Sequence, residues 1–174
     1  MQKVTSDDIW VYVNFVGNSL RAAMPGCDKY YRENKRTIEL VAEHMKRIQV
    51  VHRIKPLYRG LLLEKEWDEQ TLLPPNPKMQ FLSFSEDREI ALRFANPYNE
   101  YAIGFQLRGK KVSGFLIEYT PTLDEILFHH SWIPILKIDQ LFERQYGDIG
   151  ELFIQKEVML KQEMKYFNME RVKN

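Results

Sequence analysis

The sequence has one cysteine, Cys27, among 174 residues. No disulfide can close within the chain, which excludes a disulfide-stapled secreted scaffold. The same shortage removes cysteine-based zinc and iron–sulfur clusters. No run of 18 apolar residues occurs, so no segment is expected to span a membrane. The first residues, MQKVTSDDIW, lack the continuous apolar stretch and small-residue cleavage site of a secretory signal. The expected location is cytoplasmic, in the producing cell or in an infected or target cell. No glycine-rich phosphate loop of the Rossmann or P-loop type is present. An excess of one charge is also missing: 25 basic residues face 24 acidic ones. That excludes a histone-like polycation, although the balance hides a local imbalance. Residues 21–60 carry a net +6 and residues 61–100 a net −4.

What is present fits an ordinary globular chain, 44% hydrophobic and 28% charged. The length suits a single domain over 1–174. Its first part, 1–55, reads as a helical lobe. Thr5, Ser6 and Asp8 supply capping chemistry, and Ile9, Val13, Val16 and Leu20 follow at helical spacing until Pro25-Gly26. A second helix is expected from Asp28 to about His52, with Tyr31, Ile38, Val41, Met45 and Ile48 as its apolar stripe. From 56 to 174 the texture changes to short apolar runs between Pro, Gly and Asn. Strands are expected at Leu57–Leu63, Gln80–Phe84, Tyr101–Leu107, Gly114–Tyr119, Phe153–Leu160 and Lys165–Val172, with one short helix from Glu86 to Ala95. The class is α+β.

Three strands of this β body carry polar residues that packing does not require. In Leu57-Tyr58-Arg59-Gly60, Arg59 cannot deprotonate and must be solvated or paired. Its planar fork suits phosphate or carboxylate, or a structural ion pair. In Phe81-Leu82-Ser83-Phe84-Ser85, alternation puts both serines opposite Leu82 and Phe84. Ser85 is placed to cap the following helix. Ser83 is free to orient a ligand or to make a cross-strand hydrogen bond. In the segment from Phe153 to Leu160, alternation sets Gln155 and Glu157 side by side on one face. That pair can grip one ligand or simply face solvent.

In this order the three segments resemble the R-S-E class of ADP-ribosyltransferases, the cholera-toxin-like branch, over residues 55–172. The motifs are LYRG, then S-x-S running into a helix, then Q-x-E-V. The resemblance implies two roughly perpendicular sheets preceded by helices, with NAD as co-substrate in the cleft between them. It assigns Arg59 to bracing NAD, Ser83 to the nicotinamide side, Glu157 to catalysis and NAD binding, and Gln155 to the acceptor. The loop Gln145–Leu152, with Tyr146 as an aromatic probe, resembles the family's substrate-recognition loop. Phe84 replaces the central threonine of S-T-S. Gln155 stands where arginine-modifying members have a second glutamate, and a neutral amide cannot attract a guanidinium. The resemblance therefore implies a mono-ADP-ribosyltransferase whose acceptor is an asparagine or glutamine side chain or a nucleic-acid base. A toxin or phage effector fits, with an antitoxin or inhibitor as a further partner. The alternatives are an NAD glycohydrolase and a non-catalytic module that binds a partner through the basic segment 21–60; if the acceptor is a nucleic acid, the helical lobe is expected to touch it through Lys46, Arg47 and Arg53.

No metal is expected. His44 and His52 are two helical turns apart, and His129 and His130, adjacent in sequence, should point apart on a strand.

Overall fold

The computed structural model describes residues 3–21, 26–48, 54–64, 81–98, 109, 111–135, 155–161 and 168–173. It is mixed α+β, with three helices and an open antiparallel sheet of six strands among those residues.

Helix α1 spans Ser6–Arg21. Its start is a reciprocal cap: Thr5 N donates to Asp8 Oδ2 at 2.8 Å and Asp8 N donates to Thr5 Oγ1 at 3.3 Å. Helix α2 spans Gly26–Ile48, beginning two residues before Asp28, and the expected end near His52 lies outside the described residues. The apolar stripe holds at Tyr31, Ile38, Val41 and Met45, all buried, but Ile48 is 54% exposed. Tyr12 and Phe15 of α1 are fully buried beside Val13 and Val16. The rings of Phe15 and Tyr31 lie 5.6 Å apart and join the two helices. Each such side chain removed from water contributes about 2 kcal/mol.

The strands are β1 (Leu57–Glu64), β2 (Phe81–Ser85), β3 (Val112–Tyr119), β4 (Ile126–His129), β5 (Glu157–Lys161) and β6 (Asn168–Arg171). Their order is β4-β5-β2-β1-β3-β6. The strand expected at Tyr101–Leu107 lies outside the described residues. The helices cover one face, where Leu57, Leu82, Phe84, Ile117, Val158 and Leu160 join their side chains in one core. Tyr12 Oη donates to the buried Leu127 carbonyl at 2.6 Å and fastens α1 to β4.

Helix α3 (Arg88–Phe94) packs on the opposite face. Two glycines permit the approach. A Cβ on Gly60 would stand 1.9 Å from the Ala91 carbonyl oxygen, and one on Gly114 would stand 1.7 Å from that of Ala95. Among the described residues, no helix is long and apolar enough to cross a membrane.

The strands described here form a single sheet, where the resemblance implies two. Yet that sheet is not evenly joined. β1 and β3 pair from Leu57 opposite Tyr119 to Glu64 opposite Val112, and β2 and β5 from Phe81 opposite Lys161 to Ser85 opposite Glu157. β1 and β2 meet at one pair, Tyr58 opposite Ser85. Two halves, β4-β5-β2 and β1-β3-β6, the first with a register irregularity between Ile126 and Phe128, are thus stitched together at one pair.

Candidate active site at the strand seam

The seam brings together the three residues that the motifs single out. They lie 24 and 74 positions apart in sequence but on the neighbouring strands β1, β2 and β5. Past the Tyr58–Ser85 pair, β2 carbonyls on the β1 side need another donor. Arg59 supplies one, its Nη1 donating to the Ser83 carbonyl at 2.6 Å. The side chain takes the place of a ladder bond.

Glu157 opens β5 and is only 7% exposed. Burial pushes its carboxyl up to about 7, while a hydrogen bond from the Ser83 hydroxyl and the charge of Arg59 act in the opposite direction. Burial lowers the Arg59 guanidinium from its ordinary value, and Glu157 opposes that. Ser83 therefore serves both partners: its carbonyl holds the cation and its hydroxyl holds the acid. The apolar neighbours Leu82 and Phe84 are buried on the other face, as alternation requires. The result is a carboxyl poised near neutrality beside a fixed positive charge, with a hydroxyl between them.

The chain just before Glu157 is held by the turn that follows β2. Ser85 Oγ donates to the Gln155 carbonyl at 2.6 Å and accepts from Asp87 N at 3.0 Å. Glu86 N donates to the Lys156 carbonyl at 3.2 Å. Lys156 Nζ pairs with Asp87 Oδ2 at 3.2 Å. Two expectations change here. The cap of α3 is Asp87, whose Oδ1 accepts from Glu89 N at 3.0 Å. Ser85 instead braces the turn. Nor are Gln155 and Glu157 side by side on a strand. Gln155 is helical, and Lys156 takes a left-handed φ of 46°. That single residue breaks the alternation, so β5 begins at Glu157 and not at Phe153. Tyr146 and the Gln145–Leu152 loop lie outside the described residues.

The basic lobe is less available than its net charge suggests. Lys46 is 7% exposed, with its Nζ 2.7 Å from Glu43 Oε1. Its ammonium turns to Glu43 and to the Asp124 carbonyl, 3.4 Å away, and not to solvent. Lys29 pairs with Glu33 and Lys35 with Glu39 along the same helix. Arg53 lies outside the described residues.

A second polar cluster went unread in the sequence. β4 ends at His129 and a 3-10 turn starts at His130, so the rings do not point apart; they stack with centroids 4.5 Å apart. Both face Glu86. His129 Nε2 is 2.7 Å from Glu86 Oε1, and His130 Nε2 is 3.4 Å from Glu86 Oε2. The hydrogen bond from His129, with His130 beside it, holds the Glu86 carboxyl well below the usual carboxylate range. The signal that could have found this cluster was the exhaustion of the apolar run Ile126–Phe128 at His129.

No family model, curated protein or solved structure matches the chain.

Proposed function

We propose that the protein is an NAD-cleaving mono-ADP-ribosyltransferase of the R-S-E type, with Arg59, Ser83 and Glu157 as its working residues. The observation that carries this reading is the convergence at the seam. Arg59, Ser83 and Glu157 come from three separate strands and share hydrogen bonds and opposed charges.

The chemistry suits those groups. Breaking the nicotinamide–ribose bond sends the electron pair out with nicotinamide and leaves positive charge on the ribose, as in glycoside cleavage. A carboxylate fixed beside that charge stabilises the transition state more than the ground state. Glu157 fills this role in its ionised form. Arg59 has spent one donor on the Ser83 carbonyl. Its remaining donors suit the anionic pyrophosphate. The acceptor is a macromolecule, either an amide side chain of a protein or a nucleic-acid base. Gln155 sits in the turn before β5 and is half-buried. Its displacement from the strand weakens the link between its amide and the acceptor, which favours NAD hydrolysis by water as the second reading.

The test is direct. Wild-type protein, Glu157→Ala and Glu157→Gln are incubated with labelled NAD, with and without cell lysate, and circular dichroism checks the fold of each. Wild type should release nicotinamide and label a macromolecule, and both variants should lose at least about a hundredfold in rate. Free ADP-ribose as the sole product would establish the hydrolase. Undiminished turnover in folded Glu157→Gln would overturn both readings.

A further inference from the structure

We propose that Glu86, His129 and His130 form a binding site for a transition-metal ion of the zinc class. One ligand atom from each residue lies within 4.8 Å of the other two. Two imidazoles and a carboxylate are the donors that such ions prefer.

The distances can be compared with what the ion needs. Bonds of about 2.0–2.1 Å in tetrahedral geometry place neighbouring donors roughly 3.3 Å apart. The carboxylate oxygens of Glu86 stand 2.7 Å and 3.4 Å from the two Nε2 atoms, on either side of that spacing. The imidazole planes are inclined by 26° and stack with centroids 4.5 Å apart, which keeps the two rings beside one carboxylate. A modest rotation of the His130 ring, whose side chain is 22% exposed, brings both nitrogens onto one ion. His130 Nε2 is buried, and its one close polar contact is the 3.4 Å approach to Glu86 Oε2, which falls short of a well-formed hydrogen bond. Such an atom costs stability unless something fills its lone pair or takes its proton, and a metal ion does the former.

The surroundings also supply the outer shell that a histidine ligand uses. Ser131 N donates to His129 Nδ1 at 3.1 Å, so in the empty cluster the His129 proton resides on Nε2 and points at Glu86. Binding a metal at Nε2 moves that proton to Nδ1. Ser131 Oγ, 2.7 Å away, is there to accept it. The exchange gives up the Ser131 N–H bond, which makes the site weaker than a purpose-built zinc centre. Among the described residues Lys55 is a cationic neighbour, its Nζ 3.8 Å from Glu86 Oε2 with the side chain 63% exposed. It repels a cation and is free to swing into solvent.

Two parts of the fold would then share one ion, the end of β4 with its 3-10 turn and the turn between β2 and α3, and the latter is bonded through Glu86 N and the Lys156 carbonyl to the chain entering β5. An ion that binds only this folded arrangement raises the melting temperature by mass action.

The experiment titrates tag-free, chelator-stripped full-length protein with zinc chloride by calorimetry, and with cobalt chloride by visible absorption. One ion per chain is expected, with a cobalt spectrum of low-symmetry nitrogen–oxygen ligation and a higher melting temperature. His130→Ala should weaken binding roughly tenfold or more, in line with the loss of one ligand. Glu86→Gln should do the same. Lys55→Ala, which touches no ligand bond, should tighten it. Absence of saturable uptake by the wild type overturns the proposal. So does uptake that His130→Ala leaves unchanged, because the ion is then held elsewhere. The His130→Ala readout keeps the proposal exposed even if Glu86→Gln fails to fold, and none of these readings depends on NAD turnover.

Discussion

Glu157→Gln should make the protein more stable, and only at the alkaline end. The carboxyl of Glu157 is raised from 4.5 to about 7, chiefly by burial. A raised acid binds its proton more tightly folded than unfolded. Below about pH 4.5 both states are protonated and its contribution is complete. As pH rises from 4.5 to about 7 the unfolded chain loses the proton first, and stability falls throughout that window. Above about 7 both states are ionised, and the loss is constant. At roughly 1.4 kcal/mol per pH unit the ceiling is about 3 kcal/mol. Glutamine keeps the shape and the acceptor for the Ser83 hydroxyl but carries no charge at any pH. The assay is urea unfolding of wild type and Glu157→Gln at pH 5 and pH 8. The quantity to read is the change in the mutational effect between the two, which cancels any packing defect common to both. The variant should gain about 2–3 kcal/mol on the wild type in moving from pH 5 to pH 8, while losing NAD turnover at both. An effect equal at the two pH values, or of opposite sign, would refute the argument that the carboxylate is held in the seam at a desolvation cost.

Other consequences are simpler to state. Gly60→Ala or Gly114→Ala should each cost about 3 kcal/mol in urea unfolding, because the new Cβ meets helix backbone at 1.9 Å or 1.7 Å; a cost below about 0.5 kcal/mol would contradict the close approach of α3. Tyr12→Phe should cost about 1–3 kcal/mol by leaving the buried Leu127 carbonyl unpaired, and an unchanged urea midpoint would show that water replaces the bond. Ser83→Ala removes the hydroxyl that draws the Glu157 carboxyl down. The rise of NAD turnover with pH, expected near 7 in the wild type, should move to higher pH in this variant, and a stationary profile would detach Ser83 from Glu157.

Much of this arrangement is legible in the sequence, for definable reasons. The serines of β2 alternate cleanly with Leu82 and Phe84, and the structure keeps that alternation because one face is core. The helical lobe is readable because its stripe recurs at the right interval. β4 was not readable. Its residues Ile126–His129 are buried on both sides, so no alternation marks them. The break before β5 was hidden for another reason. Lys156 adopts a left-handed φ that sequence reading grants to glycine or asparagine, and it is held there by Asp87 and by the Glu86 N–H, which are remote in sequence. The cap of α3 was ambiguous by nature, since Ser85 and Asp87 are both good capping residues and only the geometry of the turn decides between them.

The least legible feature is the one that makes a site at all. Nothing in LYRG or FLSFS announces that their strands join at one pair. Yet a fully laddered β1–β2 would satisfy the Ser83 carbonyl with a backbone N–H and would leave Arg59 no such partner. Ending the ladder after Tyr58–Ser85 frees that carbonyl, and an arginine on the facing strand can satisfy it without being consumed. A guanidinium has five donors, and the Ser83 carbonyl takes one of them. Lysine in its place would offer a point charge with no fixed plane. The serine requirement follows from the same geometry. Any residue at 83 would present the carbonyl; a serine adds the hydroxyl that bonds Glu157. The Arg–Ser–Glu set is thus the chemical consequence of one interrupted strand pairing: the interruption creates the unpaired carbonyl, the carbonyl fixes the cation, and the cation limits how far burial can raise the acid.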